Sequence, residues 1–424
     1  MLITEERFEQ QFGDEYRRQL QQAQYDTANP VKLREEIESE RQRMDPSRLH
    51  APARDPYTYR MTLYRGFLRF PERLKNFVIA QHEPRGTTRS FLPTLMDIEP
   101  NSRCNFRCVM CQVSEWPNGK RAEDMTFEEL QAFIESQPGL TEVKLHGMGE
   151  PLMHPRYTEM VRYLVERDLW VRTNTNGSLL HARDNYHRLI DTGIGEIQNS
   201  VDGATKDVFE KIRRQSNFDQ VVRNLTMLNE YVNQKDRPYT RMWVVVQKDN
   251  RHQLVEFVEL AKRMGFRRLT FSLSLNDWGQ EQWQTKNAQL QARGLSEEEQ
   301  QQLLDLMAKD DIEITVWWQA TKYSTESSQT LCPWVFERPY ISSDLRVVPC
   351  CVIGNPDIAD LGDARDFRLV WNGPTYQAFR QAHLEGNIPK HCRSCYKFTP
   401  QPEAPSLVMA TDFGQYSGVS RTGP

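Results

Sequence analysis

The chain is 424 residues long, and its 54 Lys and Arg against 58 Asp and Glu give a formal charge of −4. That length suits one large domain with a smaller one attached, and with the basic residues spread along the chain a nucleic-acid partner is not expected. The N-terminus "MLITEERFEQ" turns acidic before an apolar signal region forms, and no run reaches the roughly 18 apolar residues of a membrane span, so a cytoplasmic protein with no membrane contact is expected.

Residues 1–90 are rich in Gln, Glu and Arg. "VKLREEIESERQR" has helical character and "MDPSRLHAPARDPYTYR" is broken by Pro, so the segment reads as a solvated helical extension packed on the main domain. Aromatic residues in "YRGFLRFPERLKNFV" indicate that its end is docked. From Phe91 the rhythm changes. "FLPTLMDIEP" and "LTEVKLHG" read as strands; "MTFEELQAFIESQ", with Thr126 and Glu129 as a capping box, and "RYTEMVRYLVERD" read as helices. The alternation continues through "WVRTNTNG", "DNYHRLIDTG", "GEIQNSVDG", "FDQVVRNLTMLNEYV", "YTRMWVVVQ", "RHQLVEFVELAKRMG" and "RRLTFSLSL".

Six strands with about five helices predict an α/β fold over 91–275, a parallel sheet curled fully or partly into a TIM-like (β/α)6 barrel. Chemistry in such a fold sits at the C-terminal strand ends. Residues 276–330 break the rhythm: a polar stretch leads to a helix capped by Ser296 and Glu299, then to the strand "IEITVWWQ". Trp317, Trp318 and Gln319 are expected to pack the junction with a small domain at 331–400. The Pro/Gly/Ser-rich tail, 401–424, reads as poorly ordered.

The eight cysteines fall in two groups, and in a chain of this kind clustered cysteines point to metal or catalysis rather than a disulfide framework. "CNFRCVMC" is a CxxxCxxC placed directly after the first strand. Its three thiolates can hold three irons of a cubane cluster and leave the fourth open to substrate. A structural zinc site would want four ligands, and no His or fourth Cys stands nearby. The second group, Cys332, Cys350, Cys392 and Cys395, is a four-thiolate set whose spacing leaves a four-cysteine zinc site and a fully ligated iron–sulfur cluster both open. His391 adjoins the CxxC but is not needed to complete the set. Cys351 is left over, as a small buried hydrophobe, an alternate ligand or a reactive thiol facing substrate.

Residues 91–275 resemble the radical S-adenosylmethionine (SAM) superfamily. The motif cysteines are Cys104, Cys108 and Cys111; "GMGEP" (147–151) stands where the family has a GGEP-like motif, with Met148 in place of glycine; "TNTNG" (173–177) and "NSVDGATKDVFEKIRR" (199–214) are similar to later strand ends. The resemblance implies that the open iron of a [4Fe–4S] cluster chelates the amino and carboxylate groups of SAM. Gly147, Gly149 and Glu150 would lie near the amino group, Phe106 backbone near the adenine, and Ser200 and Asp202 at the ribose or carboxylate. It also implies reductive cleavage of SAM to methionine and a 5′-deoxyadenosyl radical that takes a hydrogen atom from substrate, with electrons from a donor such as flavodoxin or ferredoxin.

The 331–400 region resembles the shortened SPASM, or Twitch, domain, through "CPW", "DLRVVPCC", "LVWNGPTYQAFRQAH" and "IPKHCRSCY" in that order. This implies one auxiliary [4Fe–4S] cluster on Cys332, Cys350, Cys392 and Cys395. Leu345 stands where many members have glycine. The implied activity is oxidation or epimerisation of a small molecule such as a sugar, aminocyclitol or natural-product intermediate, with Cys351 the candidate hydrogen donor in an epimerisation. The alternative is a peptide-modifying maturase, although residues 1–90 show no strand-rich leader-binding module.

Overall fold

Polar and apolar residues alternate along the core strands, and the alternation separates two faces of one sheet. In the computed structural model, which describes residues 3–235, 237–292, 294–318 and 323–396, ten strands form this sheet. In chain order they are β1 (Leu95–Ile98), β2 (Glu142–Leu145), β3 (Trp170–Thr175), β4 (Glu196–Ser200), β5 (Thr240–Val245), β6 (Arg268–Ser272), β7 (Glu313–Trp317), β8 (Tyr340–Ile341), β9 (Arg346–Val348) and β10 (Gly362–Asp363). The spatial order is β10-β9-β8-β1-β2-β3-β4-β5-β6-β7. All pairings from β8 to β7 are parallel, and β8–β9–β10 is an antiparallel edge.

The six expected strands are present. The structure adds a seventh parallel strand, because "IEITV" pairs with β6 in the same sheet rather than entering the second domain. On the other edge the first strand of the C-terminal region pairs with β1, so the two cysteine-bearing regions share one sheet. The tail from residue 397 lies outside the described residues, as does Gln319.

Met96, Val143, Val171, Ile197, Val244 and Phe271 face the helices and join the main core. Burying such side chains at roughly 25 cal/mol per Å² of apolar area is the main force holding helices to sheet. Both expected capping boxes form, at Thr126/Glu129 and at Ser296/Glu299, so local sequence fixes where these two helices begin.

The opposite face is polar and lines the inside of the curl. Residues 50–54, between the helices Pro30–Gln42 and Pro56–Arg69, cross its N-terminal end. Arg54 Nη2 lies 2.5 Å from Glu142 on β2, while the Ala53 carbonyl accepts from Arg241 on β5 and Arg268 on β6 at 2.9 and 2.7 Å. One dipeptide can reach β2, β5 and β6 together only because the sheet wraps around it. The N-terminal extension therefore does more than pack on the outside: it closes the bottom of the barrel.

Candidate active site

The other, C-terminal end of the curl holds a cavity of about 360 Å³, within the usual range for small-ligand sites. Its rim is built by the loops after the strands. After β1 comes the cysteine loop, and Cys104, Cys108 and Cys111 all line the cavity. The loop is clamped by a two-residue antiparallel pairing of Arg107–Cys108 with Arg213–Arg214, and the Phe106 N–H donates to Cys104 Sγ at 3.4 Å. Burial pushes all three thiols up, Cys111 to about 12, which resists forming bare thiolates. Arg213 offsets part of that cost at Cys108. A metal that takes the place of the thiol protons removes the rest.

"GMGEP" follows β2. Gly149 is pressed against the cysteine loop: a Cβ there would lie 2.5 Å from the carbonyls of Asn101 and Arg103. Glu150 lines the cavity, but both its oxygens are engaged. Oε1 accepts from Thr175 Oγ1 (2.7 Å) and Leu152 N (3.1 Å), and Oε2 from Asn176 N (2.8 Å). Its main role in this geometry is to lock the loops after β2 and β3 together. Gly147, Phe106 and Ser200 line the cavity. Asp202 does not: it is fully buried outside the lining, paired with Arg213 at 2.7 Å and accepting from Val245 N at 2.8 Å. Its charge is thus matched by Arg213 within the protein.

Met148 also has a reason to differ from glycine. Its thioether accepts from Gln112 Nε2 (3.2 Å) and packs on Gly354, where a Cβ would come within 2.5 Å of Met148 Cε. Gly354 follows the cysteine pair, so Met148 joins the SAM-type loop to the C-terminal region. Glu99 reinforces the junction by accepting from Met148 N (2.9 Å) and Ser343 N (3.1 Å). Burial pushes this carboxyl up to about 7. Leu345 sits at φ 60° in the turn between β8 and β9, the left-handed region that explains why glycine suits this position.

The eight cysteines are all free and half-buried. Cys332, Cys392 and Cys395 pack around one small core with Tyr323 and Tyr396, and Cys392 also meets Cys350 in a neighbouring one. Burial raises the Cys350 thiol first, and the charges of Cys351, Cys392, Cys332 and Cys395 then act on it in that order. His391 stacks on Phe379 with centroids 5.9 Å apart. Among the described residues no three His, Cys, Asp or Glu side chains close on a single ion.

Cys351 turns the other way. It lines the barrel cavity, and after burial the groups acting on its thiol are Asp97, Lys144, Arg338 and Arg172. Burial pushes this thiol up to about 11, so it stays protonated.

The sequence reading missed several lining residues. Lys144, Arg172 and Arg338 form a basic floor, and Trp243, Trp317 and Trp278 form apolar walls. Trp317 was expected at a domain junction, but β7 belongs to the core sheet and its last residue faces the cavity, while Trp318 joins the core. Trp278 Nε1 donates to the Met110 carbonyl at 3.0 Å, which brings the polar segment after β6 over the cysteine loop. Charged residues in mid-strand of a parallel sheet, as in "EVKL" and "WVRTNT", were the available signal, since such strands are normally apolar throughout.

Comparison with known proteins agrees with this geometry. The radical SAM superfamily model matches residues 98–271, and the SPASM model, an iron–sulfur cluster-binding domain, matches 332–396. A mycofactocin maturase, MftC, of Mycobacterium tuberculosis is 30% identical over 175 residues, 41% of this chain and 43% of that protein. A tungsten-containing aldehyde ferredoxin oxidoreductase cofactor-modifying protein of Pyrococcus furiosus is 27% identical over 176 residues, 40% of this chain and 48% of that one. The matched region thus spans less than half the length of either relative. Among solved structures, Streptococcus suis SuiB bound to its precursor peptide SuiA overlaps with a TM-score of 0.54 at 12% identity, over 77% of this chain and 72% of that one. Tagged anSMEcpe with bound AdoMet gives 0.52 at 16% identity, over 77% and 91%. At such identities these likenesses concern the fold.

Proposed function

We propose that this chain, which carries a radical SAM domain and an iron–sulfur cluster-binding SPASM domain, is an enzyme that removes a hydrogen atom from a small-molecule substrate in the barrel cavity and returns one from Cys351, inverting a carbon centre. In this reading Cys104, Cys108 and Cys111 hold a [4Fe–4S] cluster whose open iron takes SAM beside Gly147, Gly149, Phe106 and Ser200. Cys332, Cys350, Cys392 and Cys395 hold the auxiliary cluster. Bound there, cluster and SAM supply the radical that takes one hydrogen atom from a substrate C–H.

The observation that carries the reading is the divergence of the cysteine pair. Cys350 faces the other three thiols, and Cys351 faces the cavity that the first cysteine group also lines. A protonated thiol there can pass its hydrogen atom to the substrate carbon. The sulfur is left one electron and one proton short; an external donor of the flavodoxin or ferredoxin class restores the electron, and solvent the proton. Trp278 and Trp317 exclude water from the walls, and the Glu150 hydrogen bonds hold the loops in register.

A second reading is a maturase that cross-links or epimerises a peptide, and the likeness to a protein named as a mycofactocin maturase motivates it. The test is anaerobic turnover with SAM and a strong reductant in deuterated water, using sugar, aminocyclitol and peptide substrates. Inversion with one solvent deuterium at the new centre is expected, and Cys351→Ala should still consume SAM while losing the inverted product. Unchanged product from that variant removes the donor role, and SAM cleavage stimulated only by peptide removes the small-molecule reading.

A further inference from the structure

Lys144, Arg172 and Arg338 line the cavity floor. Register sets Asp97 beside Lys144 and Lys144 beside Arg172 on adjacent strands β1, β2 and β3, so all three project from the same face. Arg338 enters from the segment before β8 and lies 3.0 and 3.2 Å from the two oxygens of Asp97. Arg172 is 2.8 Å from Glu142 Oε1, while the other oxygen of Glu142 meets Arg54 at 2.5 Å. Lys144 comes in addition, and among the described residues its ammonium makes no ion pair or hydrogen bond with the protein. His146 adds no negative charge: burial and Lys144 push its pKa down to about 4, which leaves it neutral.

Lys144 is half-buried on the lining of the main cavity, and a ligand that displaced water from its ammonium without bringing a counter-charge would leave a costly unpaired cation. Burial and Arg172 push Lys144 down to about 8, so it remains mainly charged at neutral pH. The charge is present and open to the cavity.

We infer that the floor is an oxyanion subsite, so that the substrate carries a carboxylate or phosphate seated on Lys144 with Arg338 and Arg172 beside it, and the reacting C–H lies close to that group. This rests on the cavity being the substrate site proposed above. Cys351 shares the same charged neighbours, so an anchor on Lys144 holds the adjacent substrate carbon near its thiol. An uncharged sugar or cyclitol would leave Lys144 without a partner in the closed complex, whereas an acidic sugar, a sugar phosphate or an amino-acid carboxylate satisfies it.

The experiment is calorimetric titration of the cluster-reconstituted, SAM-loaded protein with inorganic phosphate and, separately, malonate, in wild type and Lys144→Gln, at low ionic strength. One anion per chain is expected to bind the wild type, with phosphate or malonate preferred according to which oxyanion the substrate bears. Lys144→Gln should weaken that binding at least tenfold while iron content and SAM affinity stay at wild-type values. Absence of saturable binding of both anions to the wild type, or equal binding by the variant, would overturn the inference. So would a variant that loses SAM affinity, because Lys144 would then serve SAM rather than substrate. The two readings fail separately: iron below about four per chain would remove the radical SAM reading, while the same titrations on that protein still decide the anion site.

Discussion

Glu142→Gln should destabilise the protein far more than an ordinary surface change, and the structure gives the size. Glu142 is fully buried on β2, with Arg54 at 2.5 Å on one oxygen and Arg172 at 2.8 Å on the other; the two guanidinium side chains are 6% and 1% exposed. The amide keeps the shape and removes the charge they share. Breaking a buried pair by deleting one partner costs about 3–5 kcal/mol, because the remaining charge stays desolvated. Arg54→Met should be milder, about 1–3 kcal/mol, since Arg172 keeps Glu142 and the methionine retains the apolar stem over the Tyr59 ring, now 4.6 Å from the guanidinium. The double variant should fall short of the sum by at least about 1 kcal/mol, the signature of residues in one network. Anaerobic urea unfolding followed by far-ultraviolet circular dichroism measures this. With a slope of about 3 kcal/mol per M, Glu142→Gln should lower the midpoint by about 1–1.7 M. A loss below about 1 kcal/mol, or strict additivity, would refute the view that the N-terminal extension plugs the barrel through this charge pair.

Three further outcomes follow from the same geometry. Cys350→Ala should reduce iron from about eight to about four per chain and Cys351→Ala should leave it near eight, as measured by iron and sulfide analysis after anaerobic reconstitution; equal losses would make both residues ligands. Gly149→Ala forces a methyl group within 2.5 Å of the Asn101 and Arg103 carbonyls, so the cysteine loop must shift, with a stability loss of about 1–3 kcal/mol and reduced iron at the first cluster; wild-type iron and unfolding midpoint would show that the loop gives way freely. Leu345→Gly relieves about 1 kcal/mol of left-handed backbone cost but deletes a side chain that is 2% exposed, worth about 2–5 kcal/mol, so the unfolding midpoint should fall; a rise would mean that backbone strain outweighs burial there.

Much of this protein is legible in its sequence because the signals are local. A capping box needs only residues three apart, so Thr126 and Ser296 mark their helices correctly. Alternating strands separate core from lumen residues, and CxxxCxxC after the first strand puts three thiols on one loop of the barrel mouth. The role of "IEITV" was less legible, since a strand pattern does not say which edge it joins, and pairing with β6 carries Trp317 into the cavity.

What only the tertiary structure decided depends on register and closure. Asp97 and Arg338 are 241 residues apart, and they meet because β8 pairs with β1. The same edge pairing turns one of two adjacent cysteines toward the auxiliary thiols and the other into the lumen, which chain order alone cannot determine. Asp202 matches a strand-end motif, yet folding pairs it with Arg213 outside the lining. Residue type and spacing determine which side chains can bind metal; the long-range pairing of strands determines which of them share a cavity, because only closure of the sheet sets the direction in which each side chain points.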